Sequence, residues 1–346
     1  MFAKKIIHWH RSHGRKTLPW QIDPTPYKTL VSEFMLQQTQ VETVIPYFSQ
    51  FIKRFPNIRT LARARENSIL AQWSGLGYYR RAKNLHLSAK YIYKNFNGSI
   101  PTDIEDLVLL PGIGMSTAGA IRSLAFNLPG TIMDGNVIRV LTRFLGLNFD
   151  ISKASNIKNL KGKGDQLLPK KNFKEYSQGI MDLGALICKK NTPLCMQCPI
   201  SKNCHAYSYQ LQSMFPLKKK KKKIPIKKQY ALIVKDKGSK SILLEKRVND
   251  ELWPDLFVIP IFKNKHEMIK WVKKNNFNEK NNYQLFKTSK LTFSHFKLEL
   301  ITYLLELEIN KTKIRGGKQV YASPNNINKL GVPQFIKKLI VELHDE

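Results

Sequence analysis

The sequence predicts two domains of different class, a wholly helical one followed by one of mixed α and β structure. Three observations carry this reading. Up to Pro216 the apolar residues recur largely at helical spacing, whereas beyond Tyr230 they form short runs of strand length. Between the two lies the run Lys218 to Lys223, six adjacent like charges bounded by Pro216 and Pro225, which repel one another and resist packing. All four cysteines, Cys188, Cys195, Cys198 and Cys204, fall near the end of the helical part. At 346 residues the chain is long enough for two or three domains. No apolar run is long enough to span a membrane, and His8, Trp9 and His10 would interrupt a secretory core.

Taken in order, Leu30, Val31, Phe34 and Leu36 mark an amphipathic helix that also carries Glu33. A carboxylate among such neighbours is costly unless it has a task or a partner. Gln37, one turn on, shares its face. Thr102 with Glu105 three residues later forms a capping box opening a short helix through Leu107 and Leu110. Pro111-Gly112-Ile113-Gly114 breaks that helix, and Ser116 or Thr117 is expected to cap the next one, carrying Ala118, Ala120, Ile121, Leu124 and Ala125. A helix, a glycine hairpin and a helix let backbone N–H groups approach a phosphate, a contact that reads no sequence. Asp134-Gly135-Asn136 follows twenty residues beyond Gly114 and reads by itself as a turn or a helix N-cap. In the second domain Tyr230 to Val234, Ser241 to Leu244 and Leu298 to Leu307 read as strands, and Val332 to Leu343 as a closing helix with Pro333 near its first turn.

The cysteine spacing describes one compact four-ligand site in a reducing setting. Structural zinc usually takes two Cys-x-x-Cys pairs and only Cys195 to Cys198 is present, while four thiolates on one short loop suit a four-iron cluster equally. On spacing alone both metals stand. The formal charge is +33, with 29 basic and 12 acidic side chains in residues 1–213 and eight lysines without an acid in residues 214–228. Such an excess favours a polyanionic partner, although 45 lysines against 13 arginines also suit an A/T-rich genome.

The hairpin, the following aspartate and the cysteine loop together resemble the helix-hairpin-helix superfamily of DNA glycosylases, in its iron–sulfur branch. Within it, Lys16-Thr17-Leu18-Pro19-Trp20, Ser32 through Gln40 (SEFMLQQTQ), Gly75-Leu76-Gly77-Tyr78-Tyr79, Asp134-Gly135-Asn136 and Phe293-Ser294-His295-Phe296 are similar to the adenine DNA glycosylases of MutY type. The resemblance spans nearly the whole chain. It implies a helix-hairpin-helix catalytic domain over 1–213, with a six-helix part about 20–130 and an iron–sulfur part from the N-terminus and 131–213. A basic linker at 214–228 and a Nudix-like domain at 229–346 complete it, the latter echoed by Leu252-Trp253 and Leu256.

The resemblance further implies a [4Fe–4S] cluster on the four cysteines. It implies that Glu33 would protonate N7 of an extruded adenine, Asp134 would stabilise positive charge on the sugar, and Asn136 would orient the water or the N7 side. It also implies that Trp20, Gln37, Gln38, Tyr78, Gly112, Gly114 and Ser116 would meet DNA, with Tyr78 and the glutamines wedging the duplex, and that Phe293, Ser294 and His295 would inspect 8-oxoguanine. The expected partner is double-stranded DNA bearing A:8-oxoguanine or A:G, and the expected protein is a cytoplasmic monomer. Bifunctional relatives carry a Schiff-base lysine two residues after the second hairpin glycine; here Ser116 stands there, so strand cleavage is not expected. No Nudix box of clustered acids is present. Pro254-Asp255 replaces an expected Gly-Gly pair, Met115 an expected basic residue, and the lysine-rich stretch 160–172 is unfamiliar. The rival readings are a pyrimidine glycosylase-lyase of endonuclease III type and a non-enzymatic metal module that binds DNA.

Overall fold

The computed structural model describes residues 1–217, 224–248, 252–275, 277, 283–308, 319–323 and 326–345; the lysine run at 218–223 lies outside them. The chain divides into two compact units, Met1–Arg63 with Asn84–Lys220 and Ala64–Lys83 with Lys221–Glu346. Among the described residues no helix is long and apolar enough to cross a membrane.

The first unit is helical. It contains α1 (Phe2–His13), α2 (Pro26–Leu36), α3 (Val41–Arg54) and α4 (Ile58–Arg63). Next come α5 (Glu66–Gln72), which belongs to the second unit, and α6 (Arg80–Asn95). The first unit continues with α7 (Ile104–Val108), α8 (Met115–Phe126), α9 (Gly135–Leu145), α10 (Ala154–Gln166) and α11 (Phe173–Asp182). A π-helical turn (Leu183–Ile187) extends α11, and α12 (His205–Ser208) follows the cysteine loop. Helix α2 starts where local chemistry dictates: Thr25 accepts from the Lys28 N–H and Pro26 supplies a preset φ at the first helical position. Leu30, Val31, Phe34 and Met35 are fully buried. On the other side, α1 sends Phe2, Ile6 and Trp9 into a core with Val137, Val140 and Leu141 of α9 and Tyr176 and Ile180 of α11. The amino terminus is thereby tied to residues far along the chain.

Two expected caps are placed differently. The residue capping α7 is Asp103, not Thr102, whose carbonyl instead accepts from Arg122. Helix α8 is capped by Gly114 without a side-chain bond. Ser116 therefore caps nothing; its hydroxyl accepts from the Met133 N–H at 2.9 Å.

The second unit is a mixed sheet between two helices. Its strands are β1 (Ile226–Asp236), β2 (Ile242–Lys246), β3 (Phe257–Val258), β4 (Ile261–Phe262), β5 (Gln284–Thr292), β6 (Lys297–Leu307) and β7 (Gln319–Ala322). The order is β3-β2-β1-β6-β5, with β4 pairing β1 and β7 pairing β2. The central pair β1 and β6 runs parallel in register from Ile226 opposite Lys297 to Asp236 opposite Leu307. Strand β1 thus starts inside the stretch read as linker. Successive β1 residues point to opposite faces. Ala231 and Ile233 join Ile336, Leu339 and Ile340 of α14 (Gln334–Asp345), while Leu232 and Val234 join Met268 and Val272 of α13 (Lys265–Lys274). Burial on both faces explains why this strand reads as a continuous apolar run instead of an alternating one. The segment 64–83 packs with this unit. Ser74 Oγ donates to the Val332 carbonyl at 2.7 Å, and a side-chain carbon added at Gly331 would meet Leu70.

Candidate active site

Glu33 sits in the last turn of α2 and Asp134 at the N-cap of α9, and both line one cavity of about 970 Å³ in the first unit. Trp20, Gln37, Gln38, Ser116 and Asn136 line it too. Of the residues singled out from the sequence, these seven are brought together. Trp20 is mostly buried with its ring edge on Phe48, so it forms a wall rather than an outer contact. The Gln37 amide donates to the Gly112 carbonyl at 3.3 Å, linking the end of α2 to the glycine hairpin. Gly112 has φ +82, and a side-chain carbon there would lie 2.7 Å from the Asn84 amide, so both conformation and space require glycine.

The two carboxyls differ in environment. Asp134 accepts from the Val137 N–H at 2.7 Å and the Asn136 amide at 3.3 Å, and Arg139 lies nearby. Burial raises its pKa and these groups offset part of that rise. For Glu33 no hydrogen-bond donor is found among the described residues. Burial, and secondarily the Asp134 charge, push it up to about 7. Glu33 is only half-buried by exposed surface, because the cavity opens beside it, but protein encloses its other sides.

The second wall of the cavity includes His10, Arg15 and Gln178. All three converge on Asp182, which is fully buried. Burial alone would raise this carboxyl, but His10 and Arg15 hold it below its ordinary value. Arg15 meets it through its side chain at 2.8 Å and its backbone N–H at 2.9 Å. Gln178 Nε2 donates to Asp182 Oδ1 at 3.1 Å. An ionised carboxylate only accepts, so the amide orientation is fixed and the Gln178 oxygen is left as an acceptor.

The four cysteines line a second cavity, walled by apolar Val140, Leu183, Ile187 and Ile200. Arg143 Nη1 lies 3.4 Å from the Cys188 sulfur and Gln212 Nε2 lies 3.8 Å from that of Cys195. Yet among the described residues no three Cys, His, Asp or Glu stand close enough to share one ion. At a Zn–S distance of about 2.3 Å, sulfurs around one zinc sit roughly 4 Å apart. The four thiols nevertheless line one common hollow.

The helix-hairpin-helix base excision DNA repair family (HhH-GPD superfamily) matches residues 31–163, and a NUDIX domain matches 229–342. The chain is 39% identical over 341 residues to an adenine DNA glycosylase of Buchnera aphidicola subsp. Schizaphis graminum, covering 98% of each. It is 41% identical to that of subsp. Baizongia pistaciae over 99% of this chain and 97% of the relative. The chain belongs to the adenine DNA glycosylase family. A human adenine DNA glycosylase is 37% identical over 59% of this chain and 39% of its own. Among solved structures, a thermostable thymine-DNA glycosylase superposes with a TM-score of 0.55 at 25% identity, covering 60% of this chain and 95% of that one. A non-covalent endonuclease III–DNA complex superposes at 0.51 with 19% identity, covering 61% and 95%, which shows the shared fold.

In this DNA glycosylase, two arginines of α9 join the two cavities, and the sequence reading overlooked both. Arg139 donates to Asn136 Oδ1 at 2.8 Å, to the Gly184 carbonyl at 2.6 Å and to the Cys188 carbonyl at 2.7 Å. Arg143, only 2% exposed, donates to the carbonyls of Lys189, Lys190, Gln212 and Phe215. Gly184 is needed where the π-turn meets α9, since a side-chain carbon there would lie 2.6 Å from Asn136 Cβ. Asn136, Arg139 and Arg143 recur at helical spacing on one face, a signal available in the sequence.

The remaining expected residues belong to the second unit. Tyr78 is 51% exposed at φ +49. In the β5–β6 hairpin, the Phe293 N–H closes onto the Phe296 carbonyl at 2.9 Å, and the two rings stack at 4.8 Å. Ser294 and His295 are exposed at the tip, with Ser294 Oγ and His295 Nδ1 3.1 Å apart.

Proposed function

We propose that this glycosylase hydrolyses the N-glycosidic bond of adenine paired with 8-oxoguanine or guanine in duplex DNA, leaving an abasic site. The observation that carries this is the pair of unlike carboxyls, Glu33 and Asp134, on one cavity of about 970 Å³, roomy enough for an extruded nucleotide. Protonated Glu33 gives its proton to N7 of the extruded adenine. The C1′–N9 bond then breaks with its electron pair going to the base, which leaves neutral. The Asp134 carboxylate offsets the oxocarbenium charge on the deoxyribose, and water adds at C1′ as it gives up one proton, which restores the Glu33 carboxyl directly or through solvent. The Gln178 oxygen, fixed as an acceptor by Asp182, suits the exocyclic amine of adenine and would oppose the carbonyl of guanine.

Tyr78, Gln37 and Gln38 are read as the groups that fill the vacated stack. Gly112, Gly114 and the first turn of α8 would meet a phosphate, and Phe293, Ser294 and His295 would inspect the opposing base. The cysteine cavity fits a [4Fe–4S] cluster held by Cys188, Cys195, Cys198 and Cys204, serving to fix the loop around Lys189, Lys190 and Lys202. Its chemistry enters no step of base release. The protein is read as a cytoplasmic monomer. Ser116 offers no amine, which favours base removal without strand cleavage. The test is single-turnover adenine release from an A:8-oxoguanine duplex, expected for the native chain and lost in Glu33→Gln. An equal rate in that variant overturns the assignment.

A further inference from the structure

The exposed Tyr78 ring is an unusual object. A bulky residue rarely adopts a left-handed backbone, yet Gly77 at φ +70 and Tyr78 at φ +49 do so in succession. What holds them is beneath. The Arg81 guanidinium lies 5.3 Å from the Tyr78 ring centre and 5.6 Å from that of Trp73, a side chain with no exposed surface. The same guanidinium donates to the carbonyls of Leu76 at 3.2 Å and Gly77 at 3.0 Å. Trp73 Nε1 also donates to the Gly77 carbonyl at 3.2 Å, and the Arg81 N–H to that of Tyr78 at 2.8 Å. Arg81 itself is 7% exposed. Burial draws its pKa down to about 10, which leaves it charged at neutral pH.

We propose that Arg81 is a positioning residue for Tyr78, its Nη2 holding two loop carbonyls while its planar guanidinium lies against both aromatic rings, so that the Tyr78 ring is held at a fixed pitch for insertion into the duplex. This rests on the reading of the protein as a base-extruding glycosylase. Lysine is not its equivalent: an ammonium could reach the two carbonyls, which Arg81 holds with one nitrogen, but it has no planar face to lie against the two rings. The arrangement belongs entirely to residues 73–81, inside the second unit. A wedge preset in the free protein enters the stack without first ordering its own loop, so the effect belongs to the extrusion step.

The test uses the full chain and a duplex with 2-aminopurine in place of the adenine opposite 8-oxoguanine, whose emission rises when the base leaves the stack. Wild type, Arg81→Lys, Tyr78→Ala and the double variant are compared, with thermal melting as the check on folding. Arg81→Lys and Tyr78→Ala are each expected to slow the emission rise about tenfold, and the double variant no further, because the arginine acts through the tyrosine. Affinity for an undamaged duplex should stay within about twofold, since phosphate contacts dominate it. A native rate in Arg81→Lys overturns the proposal, as does a roughly hundredfold loss in the double variant, the additive result of a merely structural arginine. If the lysine variant does not fold, Arg81→Gln carries the same comparison. A wild type that raises the emission here but releases no adenine from the A:8-oxoguanine duplex defeats the catalytic reading and leaves this one standing; one that never raises it defeats both.

Discussion

Replacing Glu33 by glutamine should remove activity and add stability, with a pH signature that ties both effects to one proton. The carboxyl lies at about 7 in the folded protein against an ordinary 4.5, chiefly through burial. Below pH 4.5 it is protonated in folded and unfolded chains alike and contributes no difference. Between pH 4.5 and 7 the folded protein keeps a proton the unfolded chain has lost, so native stability falls across that window and levels off above 7, where the folded protein carries the buried charge. One pKa unit corresponds to about 1.4 kcal/mol, giving an upper bound of about 3 kcal/mol at pH 8, and solvent entering the cavity lowers it to about 1–2 kcal/mol. Glu33→Gln, nearly isosteric and uncharged, escapes that cost. Urea unfolding of both proteins should show the variant more stable at pH 8 and indistinguishable at pH 4.5. In parallel, the wild-type rate should fall about tenfold per pH unit above 7 as the general acid deprotonates, and the variant should lose about 10²- to 10⁴-fold. A gain equal at both pH values, or a wild-type rate flat from pH 6 to 9, would refute the proton as the shared cause.

Arg139→Leu should lower base release by about 10- to 100-fold with DNA affinity retained, because it frees Asn136 and leaves the Gly184 and Cys188 carbonyls unpaired at about 1–3 kcal/mol each; rate and gel-shift measurements check this. Gly184→Ala should do similar damage by displacing Asn136, read in the same assays. Borohydride treatment during turnover should trap almost no covalent adduct in the native protein; high-yield trapping, mapped by mass to Lys16 or Lys174 on the cavity wall, would overturn the hydrolytic reading. Cys198→Ser should reduce iron from about four atoms per chain and weaken DNA binding, measured by metal analysis and titration, because a four-iron cluster takes four thiolates.

Much of this site was legible where local chemistry decides it. The 3.6-residue spacing around Glu33, the glycine hairpin and the aspartate before Gly135 all announced their elements. The caps misread at Thr102 and Ser116 show the limit: either hydroxyl could serve, and Arg122 and Met133, distant in sequence, claimed the Thr102 carbonyl and the Ser116 hydroxyl. Packing partners separated by a hundred residues or more left still less trace. Nothing local says that 64–83 groups with the sheet, or that Asp255, at φ +64 where glycine is expected, is held by an ion pair with Lys83.

The difference between the two carboxyls lies between these extremes, because it follows from helix ends. Asp134 is the N-cap of α9, where unsatisfied N–H groups and the positive end of the helix dipole favour a charged oxygen. Glu33 occupies the last turn of α2, where the dipole is negative and the carbonyls offer no donor, so burial acts on it unopposed. Two acids in opposite helix environments are driven apart in proton affinity before any substrate arrives: burial raises both, but only Asp134 has donors and a nearby arginine that offset the rise. The proposed hydrolysis uses that division, and because burial is the main cause at Glu33, opening its cavity wall to solvent would narrow the difference with both helix ends left in place.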